Sequence, residues 1–504
     1  MTDRVDVGAL PVPGGYFLVS GPLATVPERH PTSSKEKFLH CATYQGEEHS
    51  IRGVVLDLIR RAEKKIFIAA FRIGDEELLA ALEEAAVRLQ GGVYVITALD
   101  PDSLRRGLGE VEDDAEADVK ALGKQFRPLA EMGLAVRGHR SCHAKFLVVD
   151  DRAALVSSAN LEPRAFGITG ENGVLIHDRR EVGRLARFYS RLWSSCQYEV
   201  SGSGSYKVVE RAPEEVGFAV PAEDRRRSPR VIWTCHSEAG LEEREILGSI
   251  QEVIQRAERE LLLSSFSLSG LTENEELLVG PLRDAIGRGV SVRLLVRARN
   301  HVAGHRRDAE TLARLGVEIR GDALNHAKGV IADRRLGALF SANFDAHHGL
   351  TSGVEAGARL DGTRAIEDAR QFFERSYARA EMRFAVDPSH RDMSSRLAIR
   401  WRSDWPLADT VQIRSDERSW EQLARDLVSG PVLFARSGDG DLTLLAGAGS
   451  YSFADAREGA DEVTLGQRKA GPLSRELLEQ WLSVRMQDPT NRGLCPATLV
   501  WRVL

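Results

Sequence analysis

The seventeen residues Leu129–Lys145, LAEMGLAVRGHRSCHAK, occur a second time in the chain as Leu312–Lys328, LARLGVEIRGDALNHAK. Eight of the seventeen positions are identical, and the two copies lie 183 residues apart. Upstream, Ile59–Phe71 (IRRAEKKIFIAAF) matches Ile254–Phe266 (IQRAERELLLSSF) in the same way. A repeat of this length indicates that one structural unit is present twice.

Each copy predicts the same order of secondary structure. Apolar residues at helical spacing predict helices near 51–63 and 75–90, and their counterparts near 246–258 and 274–288. Short apolar runs predict the intervening strands, which are Lys65–Phe71, Val93–Leu99, Glu260–Phe266 and Val290–Val296. Because helices alternate with short strands, the fold class is α/β, with layered units around a parallel or mixed sheet.

Composition and repeat together divide the chain into four segments. The first half is 1–200, a linker rich in Gly, Ser, Pro and charge is 201–230, and the second half is 231–388. Residues 389–504 repeat neither half and predict a small mixed α+β accessory domain with a helix near 473–486. Its tryptophans are predicted to form the core of that domain; they are Trp401, Trp405, Trp420, Trp481 and Trp501.

The overall composition is that of an ordinary globular protein of 504 residues, with 42% hydrophobic and 28% charged residues. A formal net charge of -6 gives no general attraction for polyanions, although a local basic cleft stays possible. The N-terminus predicts no signal peptide, and no apolar run predicts a transmembrane helix. Five scattered cysteines without a CxxC pair predict neither disulfides nor a zinc site, so we expect a cytoplasmic protein.

The chemistry-bearing residues stand at the ends of the repeated strands. Residues two apart in a strand point to the same face, so His143 and Lys145 are expected to leave their strand together. A second strand follows and again presents a polar pair two apart, Ser158 and Asn160. The second copy repeats both pairs, with His326, Lys328, Ser341 and Asn343. Two such clusters at one offset predict a single constellation.

The pattern H-x-K-x4-D, followed by S-x-N and a downstream glutamate, resembles the phospholipase D superfamily. The resemblance covers roughly residues 38–385. One departure is that the family often has Gly before the Ser, where this chain has Ser157 and Phe340. Both copies keep every other element, which are His143, Lys145, Asp150, Ser158, Asn160 and Glu171 in the first, and His326, Lys328, Asp333, Ser341, Asn343 and Glu355 in the second. The resemblance implies two pseudo-symmetric α/β/α sandwich halves that line one active site.

The resemblance also implies a metal-independent phosphodiesterase that works through a phosphohistidine, with no cofactor. In similar two-motif enzymes the N-terminal histidine is usually the nucleophile, so His143 is assigned to attack and His326 to acid–base work. The lysines, asparagines and serines would stabilise negative charge on the phosphoryl oxygens. Glu171 and Glu355 would accept a hydrogen bond from each imidazole. The motif aspartates, Asp150 and Asp333, are expected to organise backbone, and no set of metal ligands is apparent.

The sequence favours a nucleic acid as the substrate and leaves other classes open. A basic stretch follows the strand 290–296 and offers candidate substrate-binding residues; they are Arg297, Arg299, Arg306 and Arg307, with His347 and His348 at the cleft rim. The acidic run Glu110–Asp118 is a candidate flap. The alternatives are a phospholipase D-type hydrolase of phospholipids or another small phosphodiester, and a non-catalytic protein that binds nucleic acid or docks a partner.

The expected partners follow from this nuclease interpretation. Because both motifs lie in one chain, a monomer is sufficient to complete the active site. The segment after residue 390 could select the substrate or recruit a partner, such as an ATPase or helicase in a bacterial defence or repair assembly, by analogy with how such nucleases are deployed.

Overall fold

The structure is a computed structural model. It describes residues 2–6, 9, 11–25, 36–45, 51–97, 126, 128–201, 207–214, 228–236, 242–300, 302–389, 391–392, 410–429, 432–436, 442–446, 449–454, 462–469 and 498–503. The chain forms two compact units. The motif unit contains Leu23–Arg297 and Asp322–Arg379, and the terminal unit contains Met1–Pro22, Ala298–Gly321 and Ala380–Leu504. Both H-x-K motifs therefore belong to the motif unit.

The first half of the motif unit is built on a nine-stranded mixed sheet. Its central strands Ile66–Ala69, Val93–Thr97 and Ala135–Gly138 run parallel, and the other pairings are antiparallel. In spatial order the strands are Lys207–Glu210, Tyr198–Ser201, Ala135–Gly138, Val93–Thr97, Ile66–Ala69, Phe146–Val149, Ala153–Ser157, Glu171–Ile176 and Phe38–Thr43. The motif strand Phe146–Val149 lies inside this sheet and is buried along its whole length.

The second half repeats this arrangement with seven strands inside the motif unit. In spatial order they are Glu242–Arg244, Val231–His236, Val354–Arg359, Leu336–Phe340, Gly329–Ala332, Glu260–Ser265 and Ser291–Arg297. The pair Glu260–Ser265 and Ser291–Arg297 is parallel, as is its counterpart in the first half. The second motif strand, Gly329–Ala332, is also fully buried. The predicted α/β architecture with two similar halves is confirmed.

Helices cover these sheets, and their ends follow local sequence. Helix Glu76–Arg88 begins after Asp75, whose carboxylate accepts from the Leu78 N–H, and helix Arg179–Ser195 begins after Asp178 in the same way. The other helices among the described residues of the motif unit are Ile51–Arg60, Pro163–Gly167, Glu245–Arg256, Val279–Gly287 and Ala365–Arg379. The predicted helix 274–288 starts later than expected, at Val279, because residues 271–278 form turns.

Apolar side chains and backbone hydrogen bonds join the two halves. Phe188 of the first half stacks on Trp233 of the second, with ring centroids 4.4 Å apart, and both are buried in a core shared by the halves. Burying a side chain such as Phe188 contributes about 1.5–3 kcal/mol. The His143 N–H donates to the Val354 carbonyl at 3.0 Å, and the His326 N–H donates to the Gly170 carbonyl at 2.9 Å. The histidine of each H-x-K motif is thus hydrogen-bonded through its N–H group to the backbone of the opposite half.

The terminal unit has a seven-stranded sheet of its own. In spatial order the strands are Thr2–Asp6, Thr498–Val503, Thr410–Ser415, Glu462–Lys469, Gly449–Ala454, Leu442–Ala446 and Val432–Arg436. The unit also contains helices Ala303–Leu315 and Glu417–Ser429 and the paired strands Gly15–Val19, Met382–Val386 and Glu318–Asp322. Parallel pairing of Thr410–Ser415 with Thr498–Val503 and with Glu462–Lys469 makes this sheet mixed.

The predicted segment boundaries need three corrections. Residues 1–22 do not belong with the first half, because Thr2–Asp6 pairs with Thr498–Val503 and Gly15–Val19 pairs with Met382–Val386. Residues 298–321, which were assigned to the second half, group with the terminal unit. The predicted linker 201–230 contains the strand Lys207–Glu210 of the first sheet. The predicted helix at 473–486, the acidic run at 110–118 and three of the tryptophans lie outside the described residues.

Candidate active site

Two histidine–glutamate pairs form the centre of the site, and each pair crosses between the halves. His143 Nδ1 lies 2.7 Å from Glu355 Oε1, and His326 Nδ1 lies 2.8 Å from Glu171 Oε1. Both carboxylates are buried, whereas the imidazoles keep 21% and 13% of their side-chain surface exposed. A carboxylate at Nδ1 places the ring proton there, so Nε2 of each neutral imidazole carries the lone pair.

A buried lysine accompanies each histidine. Lys145 Nζ donates to the His143 carbonyl at 2.6 Å, and Lys328 Nζ donates to the His326 carbonyl at 2.8 Å. Only 2% of Lys145 and none of Lys328 is exposed. Each buried ammonium group also acts on a glutamate of the site, because Lys145 helps to lower the pKa of Glu355 and Lys328 helps to lower that of Glu171.

The predicted serines hold the carboxylates in place. Ser158 Oγ donates to Glu171 Oε2 at 2.5 Å, and Ser341 Oγ donates to Glu355 Oε2. Both serines are fully buried. The sequence hypothesis gave these hydroxyl groups to the substrate, and the structure instead places them behind the glutamates.

The predicted asparagines lie in the same buried layer as the serines. Asn160 is 6% exposed and Asn343 is 2% exposed. The Oδ1 atom of each has no hydrogen-bond partner among the described residues, and Asn160 Nδ2 donates to Glu162 Oε1 at 3.4 Å. A buried amide oxygen without a partner is unfavourable, so both asparagines have capacity to bind a further polar group.

Two phenylalanines belong to the site, although the sequence hypothesis gave them no role. The Phe71 ring lies 5.5 Å from the His143 ring, and the Phe266 ring lies 5.1 Å from the His326 ring. The ammonium groups of Lys145 and Lys328 lie 5.9 and 5.7 Å from the same two ring centroids. The sequence contains a signal for these residues, because Phe71 and Phe266 are the matching last residues of the repeated segments Ile59–Phe71 and Ile254–Phe266.

The motif aspartates lie at the far ends of the motif strands. The Asp150 carboxylate accepts from the N–H groups of 63, 64 and 65 at 2.7, 2.7 and 2.9 Å. The Asp333 carboxylate accepts from 258, 259 and 260 at 2.7, 2.9 and 3.0 Å. Partial burial alone would raise the pKa of each carboxyl, but the three donors hold the pKa of each below its usual value. These contacts match the predicted role in organising backbone.

Burial and charge set the protonation of the second pair. Burial lowers the pKa of His326 to about 3, with Glu171 acting against it and Lys328 and Arg297 acting with it. Although burial alone would raise the pKa of Glu171, His326, Lys328 and Ser158 lower that pKa to about 2. Burial raises the pKa of Cys142, next to His143, to about 12, as expected for a packed thiol rather than a nucleophile.

The predicted basic stretch does not form an exposed loop. Helix Ala303–Leu315 begins inside it, and Arg299 and Arg306 are 8% and 6% exposed. The Arg306 guanidinium packs 4.8 Å from the Tyr16 ring centroid, whereas Arg307 is exposed. Burial removes two of these side chains from any surface track for a phosphate backbone, which corrects the expectation.

Of the basic stretch, Arg297 alone belongs to the motif unit. Its guanidinium lies 4.6 Å from the Phe266 ring centroid, and its Nε donates to the Asn325 carbonyl at 3.2 Å. It is thus a buried cation next to the His326 pair. The two candidate rim residues, His347 and His348, are exposed, and both backbone N–H groups donate to Asp345.

In the part of the chain that the structure describes, no group of three or more His, Cys, Asp or Glu side chains could hold a metal ion. Among the same described residues, no helix combines the length and the apolar character that crossing a bilayer requires.

Comparison with known proteins identifies the family. A family model described as a cardiolipin synthase, phospholipase-D-like domain matches residues 55–193 and 250–377, which together are more than half of the chain. The chain belongs to the phospholipase D superfamily. The two matched regions of this phospholipase-D-like protein coincide with the two halves of the motif unit, so the resemblance drawn from the motifs is confirmed.

Similar curated proteins cover only part of this phospholipase-D-like chain. Cardiolipin synthase 1 of Bacillus anthracis is 28% identical over 144 residues, which are 28% of this chain and 26% of that protein. CDP-diacylglycerol–serine O-phosphatidyltransferase of Haemophilus influenzae is 29% identical over 146 residues, which are 26% of this chain and 32% of that protein. The chain thus matches between a quarter and a third of the length of these relatives.

Solved structures with a similar fold have low sequence identity. The phosphatidylserine synthase of Haemophilus influenzae is 14% identical and has a TM-score of 0.48, covering 75% of this chain and 90% of that one. The phospholipase D family member Nuc of Salmonella typhimurium is 18% identical and has a TM-score of 0.26, covering 33% of this chain and 98% of that one.

Proposed function

We propose that this protein breaks phosphodiester bonds in two steps, through a covalent phosphohistidine and without a metal ion. The observation that carries the proposal is the pair of crossed imidazole–carboxylate contacts, His143 with Glu355 and His326 with Glu171, at 2.7 and 2.8 Å. Each contact directs Nε2 of a histidine away from its carboxylate. Two imidazoles prepared in this way can supply a nucleophile and an acid to one phosphorus atom.

The steps balance with these two imidazoles. Nε2 of one histidine attacks phosphorus, and the bond from phosphorus to the leaving oxygen breaks. That oxygen takes a proton from Nε2 of the other histidine. The second histidine then removes a proton from an incoming water or alcohol, whose oxygen attacks phosphorus as the P–N bond breaks. The site is thereby restored, and the same geometry serves hydrolysis and transfer.

The buried lysines give the electrostatic part of the mechanism. Lys145 and Lys328 lie behind the histidines and are held at the carbonyl oxygens of those same residues. Two ammonium groups in a poorly solvated site neutralise the phosphodiester anion and the charge that develops on its oxygens in the transition state. We propose that the Oδ1 atoms of Asn160 and Asn343 accept from the attacking hydroxyl group and that their amide N–H groups donate to the phosphoryl oxygens.

For the substrate we propose a phospholipid, whose phosphatidyl group passes to water or to a second alcohol. The names of the similar curated proteins, a cardiolipin synthase and a serine phosphatidyltransferase, support this class. Ile168, which lies next to Thr169 at the start of the Glu171 strand, keeps 49% of its surface exposed and could contact acyl chains. The nucleic-acid alternative loses its main support, because Arg299 and Arg306 are buried.

The test is a turnover assay in excess EDTA with five substrates. Vesicles of phosphatidylglycerol and phosphatidylcholine, with and without added glycerol, are compared with single-stranded DNA, duplex DNA and RNA. The wild type is compared with His143→Ala, His326→Ala and, as a control, the exposed His236→Ala. We expect headgroup release or phosphatidyl transfer by the wild type and the control, and a loss of at least about 10³-fold in both site variants.

Three results would contradict parts of the proposal. Activity that requires a divalent ion would remove the metal-free mechanism. Cleavage of nucleic acid without lipid turnover, lost in His143→Ala, would replace the phospholipid by a nuclease substrate. Full activity in both site variants would place the chemistry elsewhere in the chain.

A further inference from the structure

The two carboxylates of the site do not have the same surroundings. Glu355 accepts from His143 and Ser341, and no third side chain donates to it among the described residues. Glu171 accepts from His326 and Ser158 and also from Thr169, whose Oγ1 lies 2.8 Å from Oε1. The pseudo-symmetric site therefore contains one carboxylate with three donors and one with two.

The difference originates in a single position of the repeat. Thr169 stands two residues before Glu171, and the corresponding residue before Glu355 is Gly353. Gly353 has φ +88, and a Cβ atom built there would lie 2.7 Å from the His348 carbonyl oxygen. The second half has no room for a side chain at this position, whereas Thr169 is buried, with 4% of its surface exposed.

A second difference lies in how the motif backbone is held. Asn172 Nδ2 donates to the Lys328 carbonyl at 3.1 Å, and its Oδ1 accepts from the Lys328 N–H at 3.4 Å. The corresponding residue in the other half, Ala356, has no polar side chain. The motif that carries His326 thus has two hydrogen bonds with the Asn172 side chain that Ala356 cannot provide to the motif that carries His143.

We propose that Thr169 is a positioning residue that makes the two histidines unequal: through Glu171 it keeps His326 in the neutral form that attacks phosphorus, and His143 protonates the leaving oxygen. This proposal rests on the proposed function. It reverses the order of roles that the family resemblance implies. The physical reason is that each donor shares the negative charge of a carboxylate, so a carboxylate with three donors stabilises a neighbouring imidazolium less than one with two.

The charges around His326 act in the same sense. Lys328, two residues after His326, and Arg297, at the end of Ser291–Arg297, are cations that act on the ring, and the Glu171 carboxylate contacts it at Nδ1. The imidazole is also the less exposed of the two. A neutral His326 with its proton on Nδ1 presents the Nε2 lone pair to phosphorus.

The first test separates the two roles with an ester that needs no acid. In bis(p-nitrophenyl) phosphate the leaving p-nitrophenolate departs without a proton. His143→Ala should therefore still form the phosphohistidine and release a burst of one equivalent of p-nitrophenolate. It should then stall, because the base for the attacking water is missing. His326→Ala should give no burst, since it lacks the nucleophile.

The second test examines Thr169 in the His143→Ala background, where the burst depends on His326 alone. The burst rate is measured after short pH jumps between pH 3 and 8. Thr169→Val should move the acidic midpoint upward by about one pH unit, because loss of a hydrogen bond to a charged group is worth about that much. Thr169→Ser should restore the midpoint. The control is Thr234→Val, since the buried Thr234 Oγ1 has no hydrogen-bond partner among the described residues.

The outcomes are distinguishable from failure of the proposed function. Wild-type turnover of the ester in EDTA reports on the proposed function, and the comparison between variants reports on the division of roles. A burst from His326→Ala, or equal behaviour of the two histidine variants, would overturn the assignment. A slower burst in Thr169→Val with an unchanged midpoint would show that Thr169 only supports the fold.

Discussion

Single residues of this site act in pairs that no local motif contains. His143 and Glu355 are 212 positions apart in the chain, and His326 and Glu171 are 155 apart. Replacing either carboxylate by an amide preserves the shape but removes the charge that fixes the imidazole tautomer and stabilises the imidazolium. The chemical value of each histidine therefore depends on a side chain from the other half.

Glu355→Gln and Glu171→Gln should each lower kcat by about 10²- to 10⁴-fold with little change in KM, because the imidazole loses its orienting charge and not its contact with the substrate. Steady-state kinetics on the vesicle substrate measures both constants. Glu367→Gln, which affects the contacts of Glu367 with Arg370 and Gln371, serves as the matched control. A rise in KM at constant kcat would mean that these glutamates bind substrate instead.

At this scale the sequence predicted which polar residues would lie together better than it predicted their contacts. All the repeated polar residues from His143 to Glu355 lie in the motif unit. The crossed pairing could not be predicted. A repeat shows which residues of the two halves are equivalent, but it does not show whether a histidine contacts the glutamate of its own half or of the other half. Phe71 and Phe266 were overlooked for a related reason, since apolar residues at a strand end predict core before they predict a site.

At the scale of elements, a left-handed turn closes each motif strand. Asp150 and Asp151 have φ of 54° and 55°, and Asp333 and Arg334 have φ of 50° and 61°. Asp and Asn tolerate this region better than other residues with a side chain. The same carboxylate that occupies the turn binds three N–H groups at the start of a neighbouring strand. The motif aspartate thereby aligns the strand Ile66–Ala69, which leads to Phe71.

Asp150→Ala should lower the free energy of unfolding by about 2–4 kcal/mol, since it removes three hydrogen bonds to a charged group and strains the turn. Asp150→Asn should cost less, because it keeps the conformation and one acceptor. Urea denaturation measures both variants. The kcat of the folded fraction should stay within about threefold of wild type. A collapse of kcat in a fully folded Asp150→Asn protein would show that the aspartate takes part in the chemistry.

The whole motif unit should lose stability in acid, and the sign follows from its buried histidines. Burial lowers the pKa of His326 to about 3 and that of His139 to about 4, from an ordinary value of 6.5. Between these values and 6.5, the two histidines are therefore protonated in the unfolded chain and neutral in the folded chain. Their stabilising effect is complete above pH 6.5 and is lost as the pH falls toward 4 and 3.

Each of these histidines should contribute a slope of roughly 1 kcal/mol per pH unit to the free energy of unfolding between about pH 6 and 4. The low pKa of Glu171, about 2 instead of 4.5, adds a loss below pH 4.5 in the same direction. Chemical denaturation across this range is the measurement. His139→Asn should reduce the slope, and the exposed His347→Asn should leave it unchanged. Equal slopes in all three proteins would refute the prediction.

The architecture as a whole was predictable where elements are close in sequence. Helices such as Ile51–Arg60 and strands such as Val93–Thr97 fall where their periodicity places them, to within a few residues. The terminal unit was not predictable, because three separate segments assemble it. The pairing of Thr2–Asp6 with Thr498–Val503 brings together strands almost 500 residues apart. The sequence of neither strand indicates which strand it pairs with.

The crossed pairing also bears on how the protein is made. Translation completes His143 and Lys145 more than 200 residues before Glu355, and a chain interrupted near residue 230 would contain the first motif without the carboxylate that prepares its histidine. Conversely, Glu171 is synthesised before His326, the histidine that it contacts. We therefore expect a nascent or truncated chain to lack the proposed activity until both halves have folded and docked.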